Sequence, residues 1–221
     1  MNNIHGNLST ILSTKLLTLP QQELILNAGI GLVHYDVLEI EKSHENLMLN
    51  GDAVIITSKN ALDAIKKHQI DKPVFCVGEV TAALLSDYQV VFTAQNAREL
   101  ADYLIENQSH LSFDYLCGSH RRDELPELLK SQNINLTEHI AYHSSEVSKS
   151  FDRTFARVLF YSPRGVLAFA KANLPPKTAV CIGNTTAAEA RKHFKTVLTA
   201  TKPTVTNTIV TAIKSLKNDQ E

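Results

Sequence analysis

The chain contains no tryptophan, and aromatic residues make up only 6% of its 221 positions. That leaves no stacking platform for unpaired bases. Cysteine is scarce too. Cys76, Cys117 and Cys181 each lie inside an apolar, strand-like run ("VFCVG", "YLCGS", "AVCIG"). Their odd number gives no disulfide framework, and their spacing fits no zinc pattern. They read as reduced core thiols, which implies a cytoplasmic location. No apolar run approaches the roughly 20 residues needed to span a bilayer. The opening "MNNIHGNLST" has no basic segment ahead of an apolar one, so no signal peptide is expected. A net charge of −1 provides no global field to recruit nucleic acid or a membrane surface. The glycines form neither a G-x-G-x-x-G fingerprint nor a Walker A loop. H-E-x-x-H and G-x-S-x-G are also missing. His139 and His143 stand four apart, but in a strand-like run that suits no helical metal site, so no metal is expected.

What is present is a regular alternation. Short β-rich runs such as "STILST" (9–14), "GLVHYDVLE" (31–39), "AVIITS" (53–58), "FDYLCGS" (113–119) and "RVLFYS" (157–162) are separated by segments with apolar residues at helical spacing. Apolar strands separated by helices predict an α/β fold with parallel sheet buried on both faces.

The order also repeats. "VIITSKNALDAI" (54–65) is echoed by "VLFYSPRGVLAF" (158–169), which registers Ser58 on Ser162. Gly78 and Gly183 follow at matched distances, then Thr93-Ala94 and Thr199-Ala200. More weakly, "ILSTKLLTLPQQELILNAGIGL" resembles "YLCGSHRRDELPELLKSQNINL". Matched landmarks at matched spacing predict two similar domains. The polar stretches 39–52 and 144–154 are candidate crossings between them, although a single cut near residue 110 is equally compatible with the linear sequence.

In open α/β sheets ligands bind beyond the carboxyl ends of the strands. The residues there are small, hydroxylic or basic: Ser58-Lys59, Gly78 with Thr81, Arg121-Arg122, Ser162 with Arg164, Gly183 with Thr185 and Thr186, and Lys202. Hydroxyls and amides at helix starts capture anions, and Arg pairs bidentately with carboxylates. Each hydroxyl is equally a good helix cap. Tyr142, in "HIAYHSS", ends a strand beside a candidate crossing, where it is either an interface residue or a proton donor. The residues thus point to a two-domain protein that accepts a polyanion.

The series "FYSPRGVLAF", "AVCIGNTTAAEA" and "TATKPTVTNTIVTAI", with the earlier "DAVIITSKNALDAI" and "VFCVGEVTAALL", resembles the uroporphyrinogen-III synthase family. The resemblance runs from "ILSTK" to "IVTAI". It implies two flavodoxin-like domains joined by a two-stranded connector, with a cleft between them. Domain 1 would comprise 1–37 and 147–221, domain 2 the inserted 40–143, with connectors near 36–41 and 143–148. It implies a hydro-lyase without cofactor that closes linear hydroxymethylbilane, losing water and inverting ring D. The substrate would be an octacarboxylate, received in transient handover from hydroxymethylbilane synthase by a monomer. By motif, Thr81, Tyr142, Ser162, Thr185 and Thr186 match positions lining the family's cleft. Tyr142 becomes the candidate for assisting departure of the hydroxyl. Ser58 joins the substrate-binding set, and Lys59, Arg121, Arg122, Arg164 and Lys202 are candidate carboxylate partners. Lys15 stands where many members carry Arg-Pro, and Ser144 replaces the Thr often found two residues after the Tyr. The rival reading is a non-catalytic binding or sensor protein that clamps a polyanionic small molecule.

Overall fold

A computed structural model describes residues 9–43, 45–121 and 123–219. In chain order the first elements are β1 (Thr10–Ser13), α1 (Leu19–Leu26), β2 (Gly31–His34), β3 (Leu38–Lys42), β4 (Ala53–Ile56), a 3-10 turn (Lys59–Ala61) and α2 (Leu62–Lys67). Then follow β5 (Val74–Val77), α3 (Glu79–Ala83), β6 (Val90–Ala94), α4 (Ala97–Asn107), β7 (Phe113–Gly118), α5 (Glu124–Ser131) and β8 (Leu136–Glu146). The last are β9 (Arg157–Phe160), α6 (Pro163–Ala172), β10 (Thr178–Cys181), α7 (Asn184–Ala190), β11 (Val197–Thr199) and α8 (Val205–Asn218). The expected α/β alternation is therefore observed. No described helix is long and apolar enough to cross a membrane.

The chain forms two compact units, one from residues 1–39 with 145–221 and the other from residues 40–144. In the first, the sheet order is β11-β10-β9-β1-β2, all parallel. In the second, β8-β7-β4-β5-β6 are parallel, with β3 added beside β8. Val147 N–H donates to Val37 O and Ser43 N–H to Ala141 O. Partners that rise on one strand as they fall on the other mark an antiparallel pair, so β3 and β8 form a two-stranded ribbon carrying both chain crossings.

The repeat in the sequence has a topological counterpart. Matching β4 to β9, β5 to β10, β6 to β11, β7 to β1 and β8 to β2 gives the same spatial order in both units. The two sheets are circular permutations of one another. Unit 1 reads 2-1-3-4-5 along its own chain, the flavodoxin-like order, and unit 2 reads 3-2-1-4-5.

Each sheet is covered on both faces, which is why its strands are continuously apolar. All four residues of β4 are fully buried. In unit 2 one face packs on Leu100, Leu104, Leu125 and Leu129 of α4 and α5, the other on Ala61, Ile65 and Leu85. Helix starts are fixed locally. Asn96 caps α4, Ser162 caps α6 and Thr204 caps α8, each accepting from a backbone N–H three residues on.

One expected strand is interrupted. Residues 31–39 form β2 and β3 with a break at 35–37; the consecutive residues Val37 and Leu38 both pack on the same core cluster, which regular alternation forbids.

Candidate functional site

In a doubly wound sheet the ligand crevice lies beyond the carboxyl ends of the strands where the winding reverses. In unit 1 that point falls between β1 and β9, and in unit 2 between β4 and β7.

At the unit 1 switch point, Ser13 and Thr14 are buried and committed to the fold. Thr14 donates its hydroxyl to Leu159 O (2.8 Å), and Ser13 donates to Lys15 O (2.6 Å). Ser13 Oγ also lies 3.2 Å from the hydroxyl of Tyr161, whose burial pushes its pKa up to about 12. Ser162 Oγ accepts from Gly165 N–H (3.0 Å). Pro163, at the first helical position, loses no hydrogen bond there. Further along the same edge, Thr186 is buried and Thr185 exposed in the first turn of α7. Lys202 presents an exposed side chain from a turn fixed by Asn207, whose Oδ1 accepts from Lys202 N–H (2.9 Å).

The unit 2 switch point has a similar hydroxyl pair. Thr57 Oγ1 lies 2.8 Å from the hydroxyl of Tyr115, again pushed up to about 12 by burial. Ser58 Oγ accepts from Asn60 N–H (3.3 Å), and Lys59 is exposed beside it. Gly78 opens α3 at φ 87°, a conformation that excludes most side chains. Its carbonyl accepts from Thr81 N–H (3.0 Å), which buries Thr81 in the first turn. Gly183, its echo in unit 1, is extended at φ −167° instead.

Tyr142 lies on β8, half-buried, packed against the cluster of Ile56, Ala61 and Leu116. It therefore shares a face of unit 2 with the turn that follows Ser58. Arg121 is placed differently. Its guanidinium hydrogen-bonds Glu138 and Asp123, and the Glu138 contact chiefly raises its pKa well above the ordinary value. Its charge is thus already matched within the unit. Arg164 lies in the first turn of α6. Arg122 lies outside the described residues.

Spacing alone could not have found the two tyrosine–hydroxyl pairs, Ser13–Tyr161 and Thr57–Tyr115, because their members are 148 and 58 residues apart. The strand-end positions of Ser13 and Thr57 were the available signal.

Comparison with known proteins agrees with this fold. The family model described as "Uroporphyrinogen-III synthase HemD" matches residues 21–209, which takes in parts of both units. No curated protein sequence matches the chain. Among solved structures, uroporphyrinogen-III synthetase from Helicobacter pylori superposes with a TM-score of 0.67 at 17% identity, covering 97% of this chain and 100% of that one. A mutant uroporphyrinogen III synthase from Thermus thermophilus gives 0.65 at 12% identity, covering 96% and 99%. The two likenesses extend over the whole fold, and the sequence match runs through both units; the chain belongs to the uroporphyrinogen-III synthase family.

Proposed function

We propose that the strand-end residues of this chain carry out its family's reaction, with Tyr142 as proton donor. The reaction is a lyase-type cyclisation in tetrapyrrole biosynthesis. Hydroxymethylbilane loses the hydroxyl carried on ring A and closes with ring D inverted, giving uroporphyrinogen III and water. The observation that carries this reading is the family match over residues 21–209.

The chemistry asks little of individual side chains. Breaking the C–O bond leaves a pyrrole-stabilised cation, and the departing oxygen leaves as water if a proton reaches it. Tyr142 supplies that proton from its phenol. Attack by the substituted carbon of ring D gives a spirocyclic intermediate. The bond from that carbon to the ring C bridge then breaks, the bridge rejoins at the other α-carbon of ring D, and loss of the proton there restores the aromatic pyrrole. Uncatalysed closure joins the other carbon, so the protein's main task is to hold ring D and exclude water.

The substrate's carboxylates are taken by Ser58, Lys59 and Thr81 on one unit and by Ser162, Arg164, Thr185, Thr186 and Lys202 on the other. Arg121 joins them by exchanging Glu138 or Asp123 for a substrate carboxylate, and Arg122 is its neighbour in the same role. The exposed side chains of Lys59, Thr185 and Lys202 support this reading. The chain acts as a cytoplasmic monomer supplied directly by hydroxymethylbilane synthase. Three buried free thiols support a reducing compartment.

A coupled assay tests the reading. Hydroxymethylbilane is generated in situ by its synthase, and the oxidised products are resolved by isomer. Type III porphyrin is expected, and type I alone at high enzyme concentration would overturn the proposal.

A further inference from the structure

We infer that Gly118 is a positioning residue, whose missing side chain forms the seat that fixes the phenol of Tyr142. The inference rests on the proton-donor reading of Tyr142, and three observations carry it.

The first is a register shift. β7 and β8 pair Leu116 with His139 and Cys117 with Ile140, then skip to Gly118 with Tyr142. A bulge of this kind re-aims the side chain beyond it. Regular alternation would put Tyr142 on the same face as Ile140, which packs with the α4 and α5 side of the sheet. Instead Ala141 and Tyr142, consecutive residues, both pack on the opposite face with Ile56, Ala61 and Leu116. The bulge thus carries Tyr142 to the side of the sheet where Ser58 starts its turn.

The second is the contact this creates. A methyl group at position 118 would lie 2.6 Å from Cε2 and Cζ of Tyr142 and 2.8 Å from its hydroxyl oxygen. Such separations are never tolerated, so the ring occupies the volume a side chain would fill. Backbone conformation is not the reason for glycine here. Among the described residues the glycines with positive φ are Gly29 and Gly78.

The third is the hydrogen bonding around the seat. Ser119 N–H donates to Tyr142 O (3.0 Å), and Ser144 N–H donates to Ser119 Oγ (3.4 Å). The backbone on either side of the ring is therefore tied to the strand end that carries Gly118, and the ring has little freedom to retreat.

Gly118→Ala tests this, because its one expected effect is to push the phenol away. Its kcat should fall on the order of 10²-fold, close to the loss in Tyr142→Phe, with KM nearly unchanged. In the Tyr142→Phe background Gly118→Ala should lower kcat no further, since no hydroxyl remains to misplace. A merely structural defect would lower kcat by the same factor in both backgrounds, and that result overturns the inference. Thermal unfolding gives a readout independent of catalysis. Gly118→Ala should lose roughly 2–10 °C in Tm with Tyr142 present and nothing in the Tyr142→Ala background, where the new methyl finds space. Equal losses in both backgrounds overturn the seat. Full kcat in Tyr142→Phe overturns the proton-donor reading instead, and the Tm comparison then decides the seat by itself.

Discussion

Because Cys76, Cys117 and Cys181 lie in strands covered on both faces, their thiols lose the solvation that a thiolate needs. Burial is the first cause in each case, pushing Cys117 up to about 11, Cys181 up to about 12 and Cys76 upward as well. The thiolate is the reactive form, and for Cys117 it is about one molecule in a thousand at pH 8. A thiol reagent such as DTNB should therefore leave all three cysteines untouched in the folded protein at pH 8 and titrate them in denaturant. Rapid modification without denaturant would contradict the burial. Their role was legible in the sequence, since each sits in a short apolar run. Arg121 was legible only in part. Its place after a strand could be read, but its commitment to Glu138 could not, because that pairing depends on which strand lies alongside. Tyr142 shows the same limit. Its place in a strand is visible in "HIAYHSS", but the expectation that it ends that strand is corrected, because β8 runs on to Glu146. The bulge that sets its face leaves no mark in the local pattern.

Among the elements, apolar runs located every strand of the two parallel sheets, whereas a hydroxyl or amide cap marks only some helix starts, as at Asn96, Ser162 and Thr204. Helices α3 and α7 open on Gly78 and Gly183. Buried both-face strands are the case where composition speaks most directly. Sequence reasoning overlooked Arg157, the first residue of β9, which is 2% exposed. A charge beside an apolar run reads as a surface residue, but here it binds the far end of α8. Its guanidinium donates to Ser215 Oγ (2.7 Å), Ser215 O (2.9 Å), Ala156 O (2.9 Å) and Asp219 (2.6 Å). A cation at a helix C-terminus satisfies carbonyls that have no partner within the helix. Arg157→Met keeps the apolar stem and orphans those acceptors, so it should cost about 1.5–3 kcal/mol in urea unfolding. Asp219→Asn should cost much less, because that carboxylate is 63% exposed and screened by water. Equal costs would place the anchor in the ion pair instead of in the helix end.

For the whole molecule, the repeat in the sequence implied two similar domains, and the observed sheets share one spatial order with permuted connectivity. That permutation could not be read from motif spacing, which matches landmarks in pairs without saying which strand is central. Unit 2 is continuous in the chain, from Ile40 to Ser144, whereas unit 1 is assembled from both ends. A fragment spanning residues 40–144 should accordingly unfold cooperatively in a circular-dichroism melt, while a chain truncated after residue 144 should show no second transition from unit 1. The pairing of β1 makes the reason plain. It joins β2 some twenty residues on, but its other neighbour is β9, with Ile11 opposite Arg157. During synthesis at about 5–20 residues per second, the inserted unit therefore has all its strands roughly half a second to three seconds before the enclosing one can lay down its middle. Until then β1 and β2 leave the ribosome with an open edge, and their apolar faces must wait for a partner that has not yet been made.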